Sequence, residues 1–243
     1  MRTTGRSSSF RGRIEPRAAV AALVGCAAVA ALAAHGQTFA DPPPAEQTDA
    51  VTWGLRALFT ALVALIVPVY LVKYGPSNFL WFSDIGLLGV WAALWLESPL
   101  LGSMMALAML IPETVWIVSF VTGALSRGRG VGTLASYMFD RSLPLYLRCL
   151  SLFHLALPPG AVWLVYRYGY DERALLAQTL LAWIVLPLTL WLAPPEKNVN
   201  WVRGFGHPPR RRLSQPAHFA LMMLLYPLLI YLPTHLLLVR VAG

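Results

Sequence analysis

Charged residues are scarce in this chain. They make up 12% of its 243 residues, whereas hydrophobic residues make up 57% and the mean hydropathy is +0.60. A soluble domain carries about 25% charged residues, so this composition excludes an ordinary soluble globular domain. Cysteine is also scarce. Cys26 and Cys149 match no disulfide or metal spacing, and because both lie in apolar runs we expect both to be buried.

Several sequence motifs that carry chemistry are absent. The chain has no Walker phosphate loop, no dinucleotide glycine fingerprint, no G-x-S-x-G elbow and no H-E-x-x-H zinc motif. The formal net charge of +8 would suggest nucleic acid in a soluble protein. Here the basic residues fall between apolar runs, which is the topology signal of a membrane protein. We therefore expect membrane lipids, and no nucleic acid, as partners; the sequence indicates neither a protein partner nor a cofactor.

The N-terminal region precedes the long apolar runs. Residues 1–17 are basic, residues 18–34 form a short Ala-rich apolar run, and an acidic, Pro-rich linker extends to residue 50. This pattern fits either a cleaved signal peptide or a retained helix, and the sequence slightly favours a retained signal anchor. The predicted domain organisation is thus an N-terminal region, 1–50, followed by a membrane domain, 51–243.

The membrane domain contains six apolar runs of roughly bilayer-spanning length. Prolines and glycines punctuate the segments between them. The sequence predicts an all-α polytopic bundle of six core spans. The predicted spans are residues 51–72, 79–96, 100–122, 147–168, 173–193 and 218–239.

The basic residues predict the orientation of this bundle. With these spans, 15 of the 19 Lys and Arg residues fall on the side that holds the N-terminus. Basic loops face the cytoplasm, so we expect a bacterial-type inner membrane protein with its N-terminus and long loops inside and its C-terminus outside.

Three ionisable side chains lie inside the predicted spans. Asp84, Glu113 and His154 belong to three different helices, at roughly 9, 13 and 12 Å from the cytoplasmic end of each at about 1.5 Å per residue. A charge in hydrocarbon is costly, about 2.5–3.5 kcal/mol on insertion scales, so such groups face the bundle interior or a wet cavity. We expect the three groups to meet, although each could instead fix helix packing through a partner of its own.

Three chemistries could use such a cluster. Ser151, one turn before His154, could be a nucleophile if Glu113 or Asp84 orients the imidazole. A histidine with two carboxylates could also bind a metal, or relay protons in transport. The sequence assigns Asp84, Glu113, Ser151 and His154 as the catalytic residues and assigns no metal ligand.

Two further features sharpen this prediction. Pro158 removes the helical hydrogen bond to the carbonyl of His154, and such a broken helix within the membrane is typical of a binding site. Polar side chains also cluster in the loop 194–202 and before Asp84, where they could cap the site and bind substrate. The predicted substrate-binding residues are Asn78, Glu196, Asn198, Asn200 and Trp201.

Residues 73–202 resemble a family of bacterial polytopic membrane proteins, a resemblance that implies no particular activity. The matching stretches are Asn78-Phe-Leu-Trp-Phe-Ser-Asp84, Leu152-Phe-His-Leu-Ala-Leu-Pro-Pro159 and Pro194-Pro-Glu-Lys-Asn-Val-Asn-Trp201.

A second resemblance concerns a shorter motif. Tyr74-Gly, Phe79-Leu-x-Phe82, His154 and Pro158 are similar to the androgen-induced fatty-acid-ester hydrolases of eukaryotic membranes. That resemblance implies six helices and an intramembrane threonine acting with a histidine. Only the histidine carries over, as His154, because Trp81 stands at the threonine's position.

Two functions are therefore open. The first is a polar site in the cytoplasmic leaflet that acts on a lipid-like substrate, for example as a lipid hydrolase. The alternative is a non-catalytic membrane component, either a small transporter or an assembly and packing subunit.

Overall fold

The structure, a computed structural model, describes residues 49–126, 134–206 and 208–242. The predicted anchor or signal segment, Cys26 and His207 lie outside the described residues.

The described residues form helices and short helical turns. They contain no β-strand beyond one isolated bridge between Phe205 and Arg210. The α-helices are α1 (Ala50–Tyr74), α2 (Phe82–Leu96), α3 (Pro99–Leu125), α4 (Leu145–Leu150), α5 (Leu157–Tyr168), α6 (Ala174–Leu192), α7 (Gln215–Leu225) and α8 (Leu232–Ala242). The 3₁₀ turns are Pro76–Leu80, Ser136–Phe139, Ser151–Leu155, Pro195–Lys197 and Val199–Trp201, and a π-turn, Tyr226–Tyr231, joins α7 to α8.

These elements make six antiparallel segments. The helix α4, the 3₁₀ turn that follows it and α5 form one segment, and α7, the π-turn and α8 form another. Five segments are long and apolar enough to cross a membrane, and α2, with 15 residues, is shorter. Large apolar side chains on their outer surfaces are exposed, as contact with lipid requires. The protein is thus an all-α multi-pass membrane protein, and the predicted fold class is confirmed.

Helix α3 lies at the centre of the bundle and packs against α2, α5, α6 and α8. Its first half is buried on every face, which its small and flexible residues Gly102, Ser103, Met104 and Met105 permit. Pro112 lies inside α3 without ending it.

The helical glycines differ in how closely a neighbouring helix approaches them. A Cβ atom on Gly160, in α5, would lie 2.7 Å from the ring of Phe59, in α1, whereas a Cβ atom on Gly54 would meet nothing within 4 Å. Gly160→Ala is therefore expected to lower the free energy of unfolding by about 1–3 kcal/mol through overpacking. Gly54→Ala, the matched control, is expected to raise it by up to about 1 kcal/mol. Thermal unfolding in detergent checks both variants, and equal midpoints would contradict the packing of α5 on α1.

Arg56, in α1, is buried although its side chain is charged. Its Nε donates to the carbonyl of Leu94 over 2.9 Å, and its guanidinium pairs with Glu97. The indole rings of Trp53 and Trp95 lie 5.1 and 5.4 Å from the guanidinium carbon. This cluster fastens α1 to the end of α2 opposite the polar site.

Cys149 contradicts the prediction that both cysteines are buried, since its side chain is exposed. It lies on the outer face of α4, away from the hydrophobic core of the bundle. Hydrophobicity does not separate a lipid-facing residue from a core residue, because the bilayer is as apolar as a protein core.

Candidate functional site

A cavity of about 710 Å³ lies at one end of the bundle, and Asp84, Glu113 and His154 all line it. The three residues come from α2, α3 and the 3₁₀ turn between α4 and α5. Leu134 and Asp140, on the loop after α3, are exposed and line the same cavity, so it opens on that loop. The structure therefore brings together the three ionisable groups that the sequence placed at a common depth.

Glu113 and His154 form a direct pair. The Glu113 Oε2 atom lies 2.7 Å from His154 Nδ1, and the glutamate is only 3% exposed. When Glu113 is ionised, it accepts a hydrogen bond from the Nδ1–H of a neutral His154 ring, which leaves Nε2 as the basic atom of that ring. The Nε2 atom of His154 has no hydrogen-bond partner among the described residues. The pair thus holds a histidine in the tautomer that suits a general base.

Aromatic rings fix the orientation of this histidine. The imidazole of His154 stacks on Trp116 on one face and on Phe153 on the other, with centroid distances of 4.4 and 4.3 Å. Since the ring is held on both faces and at Nδ1, only its Nε2 edge can reach a molecule in the cavity. No pattern in the sequence indicated that Trp116 would stack on His154.

The carboxyl group of Asp84 is only partly satisfied by hydrogen bonds. It is 4% exposed, and its Oδ2 atom accepts a hydrogen bond from Asn78 Nδ2 over 3.2 Å. Its Oδ1 atom is buried and has no hydrogen-bond partner. No arginine or lysine within the described part of the chain pairs with it. A buried carboxyl oxygen without a partner is costly, so it marks a position where a ligand can bind.

Ser151 lines the cavity but does not contact His154 through a hydrogen bond. Its Oγ atom lies 3.1 Å from the hydroxyl of Tyr70 and 3.3 Å from the carbonyl of Leu147, to which it donates. A serine nucleophile needs a hydrogen bond to its general base, and here the Ser151 hydroxyl is hydrogen-bonded to other groups. The geometry therefore places Ser151 beside the pair without linking it to the histidine.

The interrupted helix that carries His154 explains its position. The segment 145–168 changes from α-helix to a 3₁₀ turn at Ser151 and resumes as α5 at Leu157. Pro158 and Pro159 then lie in the first turn of α5. Backbone N–H groups in the first turn of a helix have no acceptor within that helix, so a proline there breaks no helical hydrogen bond. The interruption occurs where the prolines predict it, and it places Ser151, Phe153 and His154 in the wall of the cavity.

Asn200 reaches the cavity mainly as a structural residue. Its Oδ1 atom accepts from the N–H of Phe82 over 3.1 Å, and its Nδ2 atom donates to the carbonyl of Leu80 over 2.7 Å. The two bonds satisfy the backbone where α2 begins, which positions Asp84 in the first turn of that helix. These bonds also explain why α2 begins at Phe82 rather than at the predicted residue 79.

The other predicted substrate-binding residues divide into two groups. Asn78 and Trp201 line the cavity. Glu196 is exposed and lies outside the cavity, and Asn198 binds the carbonyls of Gly204 and Gly206 within its own loop.

The two other histidines among the described residues, His218 and His235, lie apart from the pair. The His218 Nε2 atom lies 2.9 Å from the carbonyl of Trp201, and His235 Nδ1 lies 2.7 Å from the hydroxyl of Tyr170, beyond the other end of the bundle. Within residues 49–126, 134–206 and 208–242, no group of three histidine, cysteine or acidic side chains is arranged to hold a metal ion.

Tyr137, in the loop after α3, is a further cavity residue. Its segment, Ser136–Phe139, packs on α3, where Met138 and Ala135 contact Trp116. Burial raises the pKa of Tyr137 to about 12, so its hydroxyl stays protonated at neutral pH and can donate a hydrogen bond into the cavity.

The chain matches no family model, no curated protein and no solved structure. Both resemblances therefore stay predictions, and the function has to be inferred from the site itself.

Proposed function

We propose that the cavity binds a lipid-like substrate on which His154 and Glu113 act as an acid–base pair. The observation that carries this proposal is the 2.7 Å contact between His154 Nδ1 and Glu113 Oε2 inside a cavity of about 710 Å³. A histidine oriented by a carboxylate is the common general base of acyl transfer.

The reaction class that fits best is hydrolysis of a carboxylic ester. His154 Nε2 takes a proton from a water molecule as the water oxygen bonds to the acyl carbon. The ester C–O bond then breaks, and the imidazolium returns the proton to the departing alkoxide, so the products are a carboxylic acid and an alcohol. Water is the preferred nucleophile because the hydroxyl of Ser151 is bonded to Tyr70 and Leu147.

The surroundings favour a lipid over a soluble substrate. The cavity lies within a bundle whose outer surface is apolar, and its volume suits a headgroup with the start of an acyl chain. Beyond the cavity the bundle is closely packed. For example, a Cβ atom on Gly102 would lie 3.0 Å from that of Leu164. This packing supports a site that opens at one end more than it supports a transport pathway.

A lipid profile tests the proposal. In a strain that lacks the gene, at least one ester lipid is expected to accumulate, and wild-type protein is expected to reverse the accumulation. The Glu113→Gln variant, produced at the same level, is expected not to reverse it. Equal reversal by both proteins would overturn the catalytic proposal and would favour the non-catalytic alternative.

We also propose that the cavity faces the cytoplasm of a bacterial-type inner membrane. The loop 193–214, beside the cavity, carries five of the 19 basic residues, as the positive-inside rule requires of a cytoplasmic loop. In a cysteine-free background, a membrane-impermeant thiol reagent applied to intact cells is expected to label Asp171→Cys and to leave Arg210→Cys unlabelled. The reverse pattern would show the opposite orientation.

A further inference from the structure

We propose that the substrate of this cavity carries a positively charged ammonium group, which Asp84 and the aromatic walls bind. This inference deepens the proposed function, because it names the substrate class of the same site. It depends on the composition of the cavity and not on the acid–base pair.

The charged residues that line the cavity are acidic, whereas the chain as a whole has a net positive charge. The chain has a formal net charge of +8, yet no described lysine or arginine lines the cavity. Three acidic residues do so, namely Asp84, Glu113 and Asp140. Glu113 is paired with His154, and hydrogen bonds from Ser142 lower the pKa of Asp140, which stays ionised at the mouth. A cavity of this sign attracts cations and repels phosphate-bearing lipids.

Asp84 supplies the specific anchor. Its Oδ1 atom is buried and has no hydrogen-bond partner, and the residue is 4% exposed. Such a carboxyl must either take up a proton or pair with a cation, and the described chain offers no cation within salt-bridge distance. The positive group that satisfies it can come from the ligand.

The aromatic residues in the walls of the cavity also suit an ammonium ligand. Of the 20 residues that line it, eight are Phe, Tyr or Trp. Tyr70, Tyr74 and Tyr137 line the cavity together with Asp84. Aromatic faces attract ammonium groups through their quadrupoles, and several rings around one carboxylate form the usual cage for an alkylammonium ion. A neutral ester alone would not need this combination.

Calorimetric titration of the full chain in maltoside micelles tests the inference with matched probes. Dodecyltrimethylammonium is expected to bind at least about tenfold more tightly than dodecyl sulfate, which has the same alkyl chain and the opposite charge. Tetramethylammonium distinguishes a lipid headgroup from a free cation. Weaker binding than that of the dodecyl probe supports a lipid, whereas equal binding supports a soluble organic cation and counts against the lipid-like substrate.

Variants assign the binding to the proposed residues. Asp84→Asn is expected to weaken binding of dodecyltrimethylammonium by about tenfold or more, whereas Asp171→Asn, in the turn at the far end of the bundle, is expected to leave it unchanged. Trp81→Leu, in the cavity wall, is expected to weaken binding by about three- to thirtyfold, and Trp191→Leu, on the lipid-facing surface, not to change it. The two tryptophan variants decide the case if Asp84→Asn does not fold.

Equal binding of the two dodecyl probes to the wild-type chain, or full binding by both Asp84→Asn and Trp81→Leu, would overturn the inference. The outcome is separate from the proposed reaction, because binding is measured without turnover. Selective cation binding combined with equal reversal of the lipid phenotype by Glu113→Gln would retain the ligand class and reject the catalytic role.

Discussion

Glu113→Gln is expected to slow hydrolysis of the ester substrate by about 100- to 10,000-fold, the range that general-base catalysis contributes. The glutamine amide keeps the size of the side chain and removes its charge. Its N–H₂ group can donate to His154 Nδ1, which would place the ring proton on Nε2, the atom that has to accept a proton from water. Turnover of the lipid that accumulates in the deletion strain, reconstituted in proteoliposomes, measures the effect.

The control for this prediction is Glu172→Gln, because Glu172 is exposed in the turn between α5 and α6, away from the cavity. Its turnover should equal that of the wild type. His154→Gln should lose about as much activity as Glu113→Gln, and the double variant should lose little more, since the two residues act as a unit. Independent, multiplicative losses would contradict a functional pair.

Asn200→Ala is expected to lower the free energy of unfolding by about 3 kcal/mol. Its amide satisfies the carbonyl of Leu80 and the N–H of Phe82, and removing it leaves two buried backbone groups unpaired, at about 1–3 kcal/mol each. Asn200 also has φ 51°, a left-handed conformation that asparagine tolerates better than alanine does. In a chain of this size, the thermal midpoint should fall by roughly 6–12 °C.

The matched control is Thr189→Val, which keeps the side-chain volume and removes one 3.3 Å hydrogen bond to Asn200 Nδ2. Its expected destabilisation is about 1 kcal/mol or less, because the asparagine keeps both bonds to the backbone. If the two variants lowered the midpoint equally, the backbone bonds at the start of α2 would not be the source of the stability.

The sequence predicts the fold well because the bilayer imposes simple rules. Apolar runs of sufficient length must become helices, and ionisable groups within them must turn inward, so the approach of Asp84, Glu113 and His154 follows from their depths. The direction of a helix and the depth of a residue in the membrane do not determine how that helix is rotated about its own axis. The sequence therefore did not predict the hydrogen bond between Glu113 and His154. It also did not predict that Asn78 would be the one hydrogen-bond partner of Asp84 among the described residues.

Residues that face lipid and residues that face protein are harder to separate by sequence. Cys149 was wrongly assigned to the interior. Asn200 shows a different limit, because a polar side chain in a loop suits either a ligand or a distant backbone group. Its partner, the start of α2, is more than 100 residues away in the chain.

The most direct test of the account is the protonation of the His154 ring, measured by ¹⁵N nuclear magnetic resonance on specifically labelled protein and assigned with His154→Gln. The account predicts a neutral ring with its proton on Nδ1, donated to Glu113, and a loss of this tautomer's preference in Glu113→Gln. A ring protonated on Nε2, or a signal unchanged by Glu113→Gln, would contradict the pairing on which the proposed function depends.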